Sequence, residues 1–444
     1  MITLVFDRND YKRNKPYPNG WHNYVYDFAD TIDGDNFFDV VFNNHRIASA
    51  HSELFGSIRN GDGNYVYLKN INPENYNGDL LFYPIEVYGN HRVYIEDANQ
   101  IVDIVSKKAI ELAKLNKLVF VFNLSHEPFS DMDFIQKFNK QIESVNLKQN
   151  NFIFFGGSSN LLELYPELKN TGYTFYFEDN LLTSSSKKIE ELKNNPSYIL
   201  KYKSEWLNIS DIDVKRNKHF VCPNRNSNKK HRFTLGCFFE SENLWDKLYC
   251  SFLETLFIPW EEAILPNLDY DFFENLKPNI NSFVNKLPIQ MDTELIGGEE
   301  LRSFESMRSF KKEIYLDSYI NIVTESSFIN DIFPTEKLLN PITVLQPFII
   351  VSMSGYLQYI KNLGFKTFSP FIDESYDEEK NDAKRLQMIC FEIKRLSKLS
   401  LEEIHDWYIS IIPILEYNRN HAMQFAKRNM FTNNLNKYKN GIYR

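Results

Sequence analysis

The sequence predicts an α/β protein of two domains, each built around a parallel sheet. Three observations carry this. The chain has 444 residues, long for one domain and comfortable for two of about 200 residues each. Short apolar runs bounded by turn residues recur in both halves. Stretches of helical periodicity lie between them with short connections, and the order helix, strand, helix, strand is that of a parallel sheet covered by helices.

In the first half the predicted strands are 2–6 (ITLVF), 38–42 (FDVVF), 118–124 (LVFVFNL), 151–157 (NFIFFGG) and 173–177 (YTFYF). Residues 98–116 have apolar side chains at helical spacing and run straight into the strand at 118. Residues 132–146 form a second such helix before the strand at 152. The second set has strands at 218–224, 318–325 and 346–352, with helices at 231–256 and 335–346. The boundary falls around 205–218. This gives an N-terminal domain over 1–215, a C-terminal domain over 216–400 and a terminal segment over 401–444. In that segment Ser400 and Glu403 have capping-box spacing, and Pro413 should kink the helix that follows. A long kinked helix can cross back to the other domain. The polar, basic residues after it read as a solvated tail. Two α/β domains in series leave a cleft, and open α/β sheets take their ligands beyond the carboxyl ends of the strands.

Composition narrows the function. An apolar share of 43% with 25% charged residues is that of a soluble globular protein. A net charge of -9 argues against a protein held on nucleic acid chiefly through phosphates. Cys222, Cys237, Cys250 and Cys390 show no metal or disulfide spacing, so reduced thiols in a cytoplasm are expected. Charge arrives at Asp7, too early for a signal-peptide core. No apolar run approaches the ~20 residues that span a bilayer.

Glycine motifs for a P-loop or a dinucleotide are missing. Gly156-Gly157-Ser158-Ser159-Asn160 reads as a strand-to-helix turn, with anion binding by its N–H groups as the alternative. His126 and His219 sit alone at strand ends and read as packing or hydrogen-bonding residues. The run 373–385 reads as a solvated loop and helix start.

Two stretches carry chemistry. After the strand at 218–224 comes a loop rich in cations: Arg225, Lys229, Lys230, His231 and Arg232. A guanidinium fork suits a diphosphate, although a solvated basic loop would look the same. Farther on, a strand delivers Glu325 to its carboxyl end, with Ser326 after it. Thr335, Glu336 and Lys337 then open the next helix. A carboxylate there can accept both hydroxyls of a ribose, and the lysine can reach a phosphate. Helix capping explains Thr335 and Glu336, but the helix dipole disfavours a cation at Lys337.

Residues 323–350, VTESSFINDIFPTEKLLNPITVLQPFII, resemble the donor-binding stretch of α-1,3-fucosyltransferases. Residues 218–395 also resemble glycosyltransferase-like proteins of phages and large viruses. The matching pieces, in order, are Asn224-Arg225, His231-Arg232, Thr324-Glu325, Thr335-Glu336-Lys337, Gln346-Pro347-Phe348, Gly364 to Phe368, and Asp373 to Asp377. The resemblance implies a GT-B-like fold of two Rossmann-like domains facing a central cleft. It implies a UDP- or GDP-sugar held by the second domain as substrate, with no cofactor. Glu336 would then hold the ribose, Lys337 the ribose or a phosphate, and Arg225 the diphosphate, with His231, Arg232, Glu325, Ser326 and Thr335 completing the donor site. The sequence departs from the fucosyltransferase pattern at Ser326, where that family has Asn, and its spacing to Thr335 is one residue longer. Both differences count against fucose and GDP in particular.

An inverting transferase also needs a base for the acceptor hydroxyl. Glu127, and after it Asp131, follow the strand at 118–124 and are the candidates. The triplets Asp131-Met132-Asp133 and Asp211-Ile212-Asp213 have the form of a cation chelate, but one starts a helix and the other falls in the linker, so no metal site is expected. The acceptor would be a glycan or lipopolysaccharide, or a modified base in phage DNA; the acidic charge favours the glycan. The competing reading is a non-catalytic nucleotide-sugar-binding, glycan-binding or virion protein of the same fold.

Overall fold

The computed structural model describes residues 2–6, 63–86, 107–124, 133–177, 213–224, 226–253, 255–289, 312–329, 331–425 and 430–441, with 186, 189 and 193 as single positions. Chain contacts group it into two units. One holds Met1–Asn180 with Arg428–Arg444, the other Leu181–Lys427. Each has its own all-parallel sheet, so the α/β class expected from the sequence is observed.

The first sheet holds β1 (Ile2–Phe6), β2 (Gly63–Tyr67), β3 (Leu81–Glu86), β4 (Leu118–Leu124), β5 (Phe152–Gly156) and β6 (Thr174–Phe177) in the order β2-β1-β3-β4-β5-β6. The strand expected at 38–42 lies outside the described residues. Helices α1 (Lys107–Lys114) and α2 (Asp133–Ser144) fall within the predicted stretches. Side chains of β4 and β5 alternate between two buried faces. Phe120, Phe122, Phe152 and Phe154 pack on one side and Val119, Val121, Ile153 and Phe155 on the other. Phe138 of α2 meets Phe122, Phe152 and Phe154 edge-on at 5.0–5.5 Å.

The second sheet holds β7 (Lys218–Asn224), β8 (Leu248–Phe252), β9 (Ser318–Thr324) and β10 (Phe348–Val351) in the order β10-β9-β7-β8. Helix α3 (Lys230–Ser241) follows β7, α4 (Glu336–Thr343) joins β9 to β10, and α5 (Tyr356–Asn362) follows β10. Then come α6 (Asp382–Ser397), α7 (Leu401–Ser410) and α8 (Ile412–Phe425). The helix expected over 231–256 is a correction: it stops at Ser241, and β8 occupies 248–252. Asn243 takes a left-handed φ of 50° and Leu244 N–H bonds back to Phe239 O at 3.0 Å, a left-handed helix stop.

The second sheet has a switch point. From β7 the chain moves outward to β8. It then returns past β7 to β9 and moves the other way to β10. Right-handed crossovers therefore put α3 and α4 on opposite faces. In agreement, α3 packs against α6 and α4 against α8. The segments after β7 and β9 meet at the carboxyl edge, the usual ligand position of such sheets, where Lys229, His231 and Arg232 bond to backbone carbonyls of residues 324–326.

Ser400 caps α7 in the expected capping box. The helix breaks at Ile411, and Pro413 sits in the first turn of α8, where no intrahelical donor is lost. The expected solvated tail is instead a helix, α9 (Met430–Lys439), that belongs to the first unit. Leu435 is fully buried against Ile2, Leu4, Phe82, Val119, Val121, Ile153 and Phe155. Tyr438 Oη donates to Asn150 O at 2.7 Å. Leu435 and Tyr438 stand at helical spacing within a polar stretch, and Lys439 Nζ pairs with Asp79 at 2.7 Å. Among the described residues no helix is long and apolar enough to cross a membrane.

Candidate functional site

The site is built on the carboxyl edge of the second sheet, where β9 ends at Thr324. Glu325 follows and is fully buried. Its Oε1 accepts from Thr335 N–H at 3.1 Å and from Tyr356 Oη at 2.6 Å, and its Oε2 accepts from Thr335 Oγ1 at 2.5 Å. Its carbonyl oxygen takes His231 Nε2 at 3.1 Å and Arg232 Nη2 at 3.2 Å. One residue thereby ties together the loop after β9 and the first turns of α3, α4 and α5. A buried carboxylate is stable only when so satisfied. In this arrangement its oxygens face protein donors.

Thr335 is the N-cap of α4, and its Oγ1 accepts from Lys337 N–H at 3.3 Å. Lys337 then folds back over the helix start. Its Nζ donates to Thr335 Oγ1 at 3.1 Å, Glu336 Oε1 at 2.9 Å and Ser326 Oγ at 3.4 Å. This accounts for a cation in the first turn: it is offset by the adjacent carboxylate instead of facing the dipole alone. The Lys337 and Glu336 side chains stay 28% and 18% exposed, so both remain reachable from solvent.

Three further cations bond to the loops around them, Lys229 half-buried and Arg232 and Arg385 buried. Lys229, the N-cap residue of α3, donates from Nζ to Ser326 O at 2.6 Å. Arg232 is buried and donates to Thr324 O at 2.8 Å. Arg385 of α6 is 1% exposed and donates to Ser352 O at 2.9 Å, Phe328 O at 2.7 Å and Glu379 O at 2.9 Å, and it pairs with Asp382 at 2.5 Å. Its guanidinium lies 4.5 Å from the Phe328 ring centroid, and the His231 ring stacks on Phe328 at 5.0 Å. Burial, then the nearby Arg232, hold the His231 imidazole well below its usual range. A neutral ring donating from Nε2 to a carbonyl follows. Backbone carbonyls take most of the guanidinium donors, while Glu325, Glu336 and Asp382 set three carboxylates among the cations.

Of the expected donor-site residues, the structure brings His231, Arg232, Glu325, Ser326, Thr335, Glu336 and Lys337 into one network. Arg225, Glu127 and Asp131 lie outside the described residues, as do most of the two Asp-x-Asp triplets. The neighbours of Arg225 are braced: Asn228 Oδ1 accepts from Phe257 N–H at 2.9 Å, and Asn228 Nδ2 donates to Thr255 O at 3.1 Å. His219 lies at the amino end of β7 and bonds Leu399 O through Nε2 at 2.9 Å. The run 373–385 is not a solvated loop. Glu374 accepts from Phe368 N–H at 2.7 Å and Asp377 from Leu357 N–H at 2.9 Å, which fixes the start of α5. Burial pushes the Asp377 carboxyl up. Sequence reasoning missed Tyr356 and Arg385. The signal for Arg385 was helical phase, since it shares the buried face of α6 with Leu386, Ile389 and Ile393. Among the described residues no group of three or more His, Cys, Asp or Glu is placed to hold a metal ion.

No protein-family model matches the chain, and no curated protein matches it. Among solved structures it is similar to an alpha,alpha-trehalose-phosphate synthase (UDP-forming) from Burkholderia vietnamiensis, at 12% identity and a TM-score of 0.34 over 80% of this chain and 72% of that one. A trehalose-6-phosphate synthase studied with bisubstrate glycomimetics matches at 13% identity and a TM-score of 0.38, over 78% and 72%. At those scores the likeness adds nothing to the functional reading, which rests on the residues.

Proposed function

We propose that the chain is a glycosyltransferase that holds the diphosphate of a nucleotide-sugar donor at the carboxyl edge of β7 and β9 and passes the sugar to an acceptor hydroxyl. The observation that carries this is the placement of Lys337. It is a partly exposed cation at a helix N-terminus and a sheet switch point, and it bonds the same loop after β9 that the buried Arg232 bonds. Lysine, helix N-terminus and buried guanidinium groups all favour a polyanion at one spot. In this reading Lys337 takes the phosphate, Glu336 the ribose hydroxyls, and Arg225 the outer phosphate. Glu325, Thr335 and Arg232 hold these groups in place.

The reaction is a single displacement. The bond from the sugar's anomeric carbon to the diphosphate oxygen breaks as the acceptor oxygen bonds that carbon. Glu127, with Asp131 as second choice, takes the acceptor proton, and the configuration inverts. Lys337 and the α4 N-terminus stabilise the departing diphosphate. The donor is a UDP- or GDP-sugar and the acceptor a glycan.

A thermal-shift panel of UDP-, GDP-, CMP- and dTDP-sugars tests this. One donor class should stabilise the protein, by about 2.7 kcal/mol at a hundredfold excess over Kd, and Lys337→Met, binding roughly tenfold more weakly, should cut this to about 1.4 kcal/mol at the same concentration. If no donor shifts the transition, the reading fails.

A further inference from the structure

We infer that Glu325 is a positioning residue that aims Lys337 at its ligand by fixing the direction of the Thr335 hydroxyl. This rests on the reading of Lys337 as a phosphate-binding group. Glu325 oxygens accept three protein donors, two of them from Thr335, and the residue is fully buried. Oε2 accepts from the Thr335 hydroxyl, whose single proton therefore points toward it. Both Thr335 lone pairs then face the other way, where Lys337 N–H and Nζ donate to them at 3.3 and 3.1 Å. The polarity of the chain Tyr356 and Thr335 to Glu325, with Lys337 to Thr335, is thus set at one end. Tyr356 Oη at 2.6 Å occupies the other face of Oε1 and keeps the carboxylate from turning.

An amide at this position breaks the rule. The substitution Glu325→Gln keeps the volume, but the NH2 it introduces can meet the Thr335 oxygen as a donor. The hydroxyl would then turn, and one lone pair would be taken from Lys337. The ammonium would lose its support and sample more rotamers, so it would be ordered only when a ligand arrives. Glu325→Gln should therefore weaken binding of a polyphosphate without that anion ever touching residue 325.

The probe is inorganic pyrophosphate, titrated calorimetrically into the full chain, with thermal unfolding as a separate readout. Lys337→Met should weaken pyrophosphate binding roughly tenfold, as for loss of one charge-assisted contact. Glu325→Gln should weaken it about three- to tenfold, while the double variant should bind no more weakly than Lys337→Met alone, because Glu325 acts through Lys337. A purely structural role would lower the unfolding temperature and leave the two effects multiplicative. Should Glu325→Gln not fold, Thr335→Val replaces it in the same cycle, since it removes the intermediate hydroxyl; Thr335→Ser should restore wild-type binding. Wild-type pyrophosphate affinity in Glu325→Gln, or multiplicative effects in the double variant, would overturn the inference. If Lys337→Met itself leaves pyrophosphate binding intact, the proposed function falls first.

Discussion

Replacing Arg385 by methionine should loosen the candidate site from below. The aliphatic stem keeps its volume against Phe328, but the guanidinium donors vanish. Ser352 O and Phe328 O, both in buried hydrogen bonds to Arg385, would lose those donors, and Glu379 O would lose a partly buried one. A buried acceptor stripped of its partner costs ~1–3 kcal/mol. Loss of the cation over the Phe328 ring adds ~1 kcal/mol. The Asp382 partner is partly solvated and its loss adds little. The total is about 4 kcal/mol, in the range for breaking a buried charged pair. The chain has two units, so a single unfolding transition is the wrong measure; backbone hydrogen exchange of the second unit is the right one. The Glu325 and Thr335 amides, bonded to Val351 O and to Glu325 Oε1, should lose roughly a hundred- to a thousandfold of their protection, the equivalent of ~3–4 kcal/mol. A loss below about tenfold would mean that Arg385 does not brace these loops, and the reasoning would be wrong.

Acid should destabilise the second unit. Burial holds the His231 and His219 imidazoles below their usual range, so the unfolded chain binds protons first and stability falls as pH drops through ~6.5, by up to ~1.4 kcal/mol per pH unit for each histidine. Urea midpoints of the second unit's own transition at pH 7.5 and 5.5 measure this, and His231→Gln, whose amide can still donate to Glu325 O, should show the smaller difference; an unchanged difference would refute it. Leu435→Ala in α9 should cost the first unit about 2–4 kcal/mol, as for a fully buried leucine against a sheet, read as a drop in its calorimetric transition. A change under ~0.5 kcal/mol would mean that α9 is not held on that sheet.

Strands whose apolar runs are nearly continuous, such as 118–124 and 152–156, were legible because both faces of the sheet are buried there. β3 escaped notice because Pro84 interrupts it, and proline normally marks an edge. The structure removes the conflict: among the described residues β1 pairs with β3 at Leu81 and Phe82, short of Pro84, whose ladder partner is on β4. β8 was hidden in a stretch of helical periodicity, where Asn243 was the only stop signal. Within the site, the Thr335 cap was readable from spacing alone. The use of Glu325 was not: its donors, Thr335 and Tyr356, come from different loops that only the fold brings together. Arg385 looked like part of a charged run because its acceptors are mostly backbone carbonyls, which leave no mark in a sequence.

The central claim is that the carboxyl edge of β7 and β9 binds the diphosphate of a nucleotide sugar and that the chain turns that donor over. The most direct measurement is nucleoside diphosphate release from the donor that stabilises the protein best, with a glycan acceptor present, in wild type and in Lys337→Met. The account predicts steady release by wild type and a loss of at least tenfold in kcat/KM for the variant, about 1.4 kcal/mol of transition-state stabilisation. Release at the wild-type rate by Lys337→Met, or no release from any donor, would contradict it.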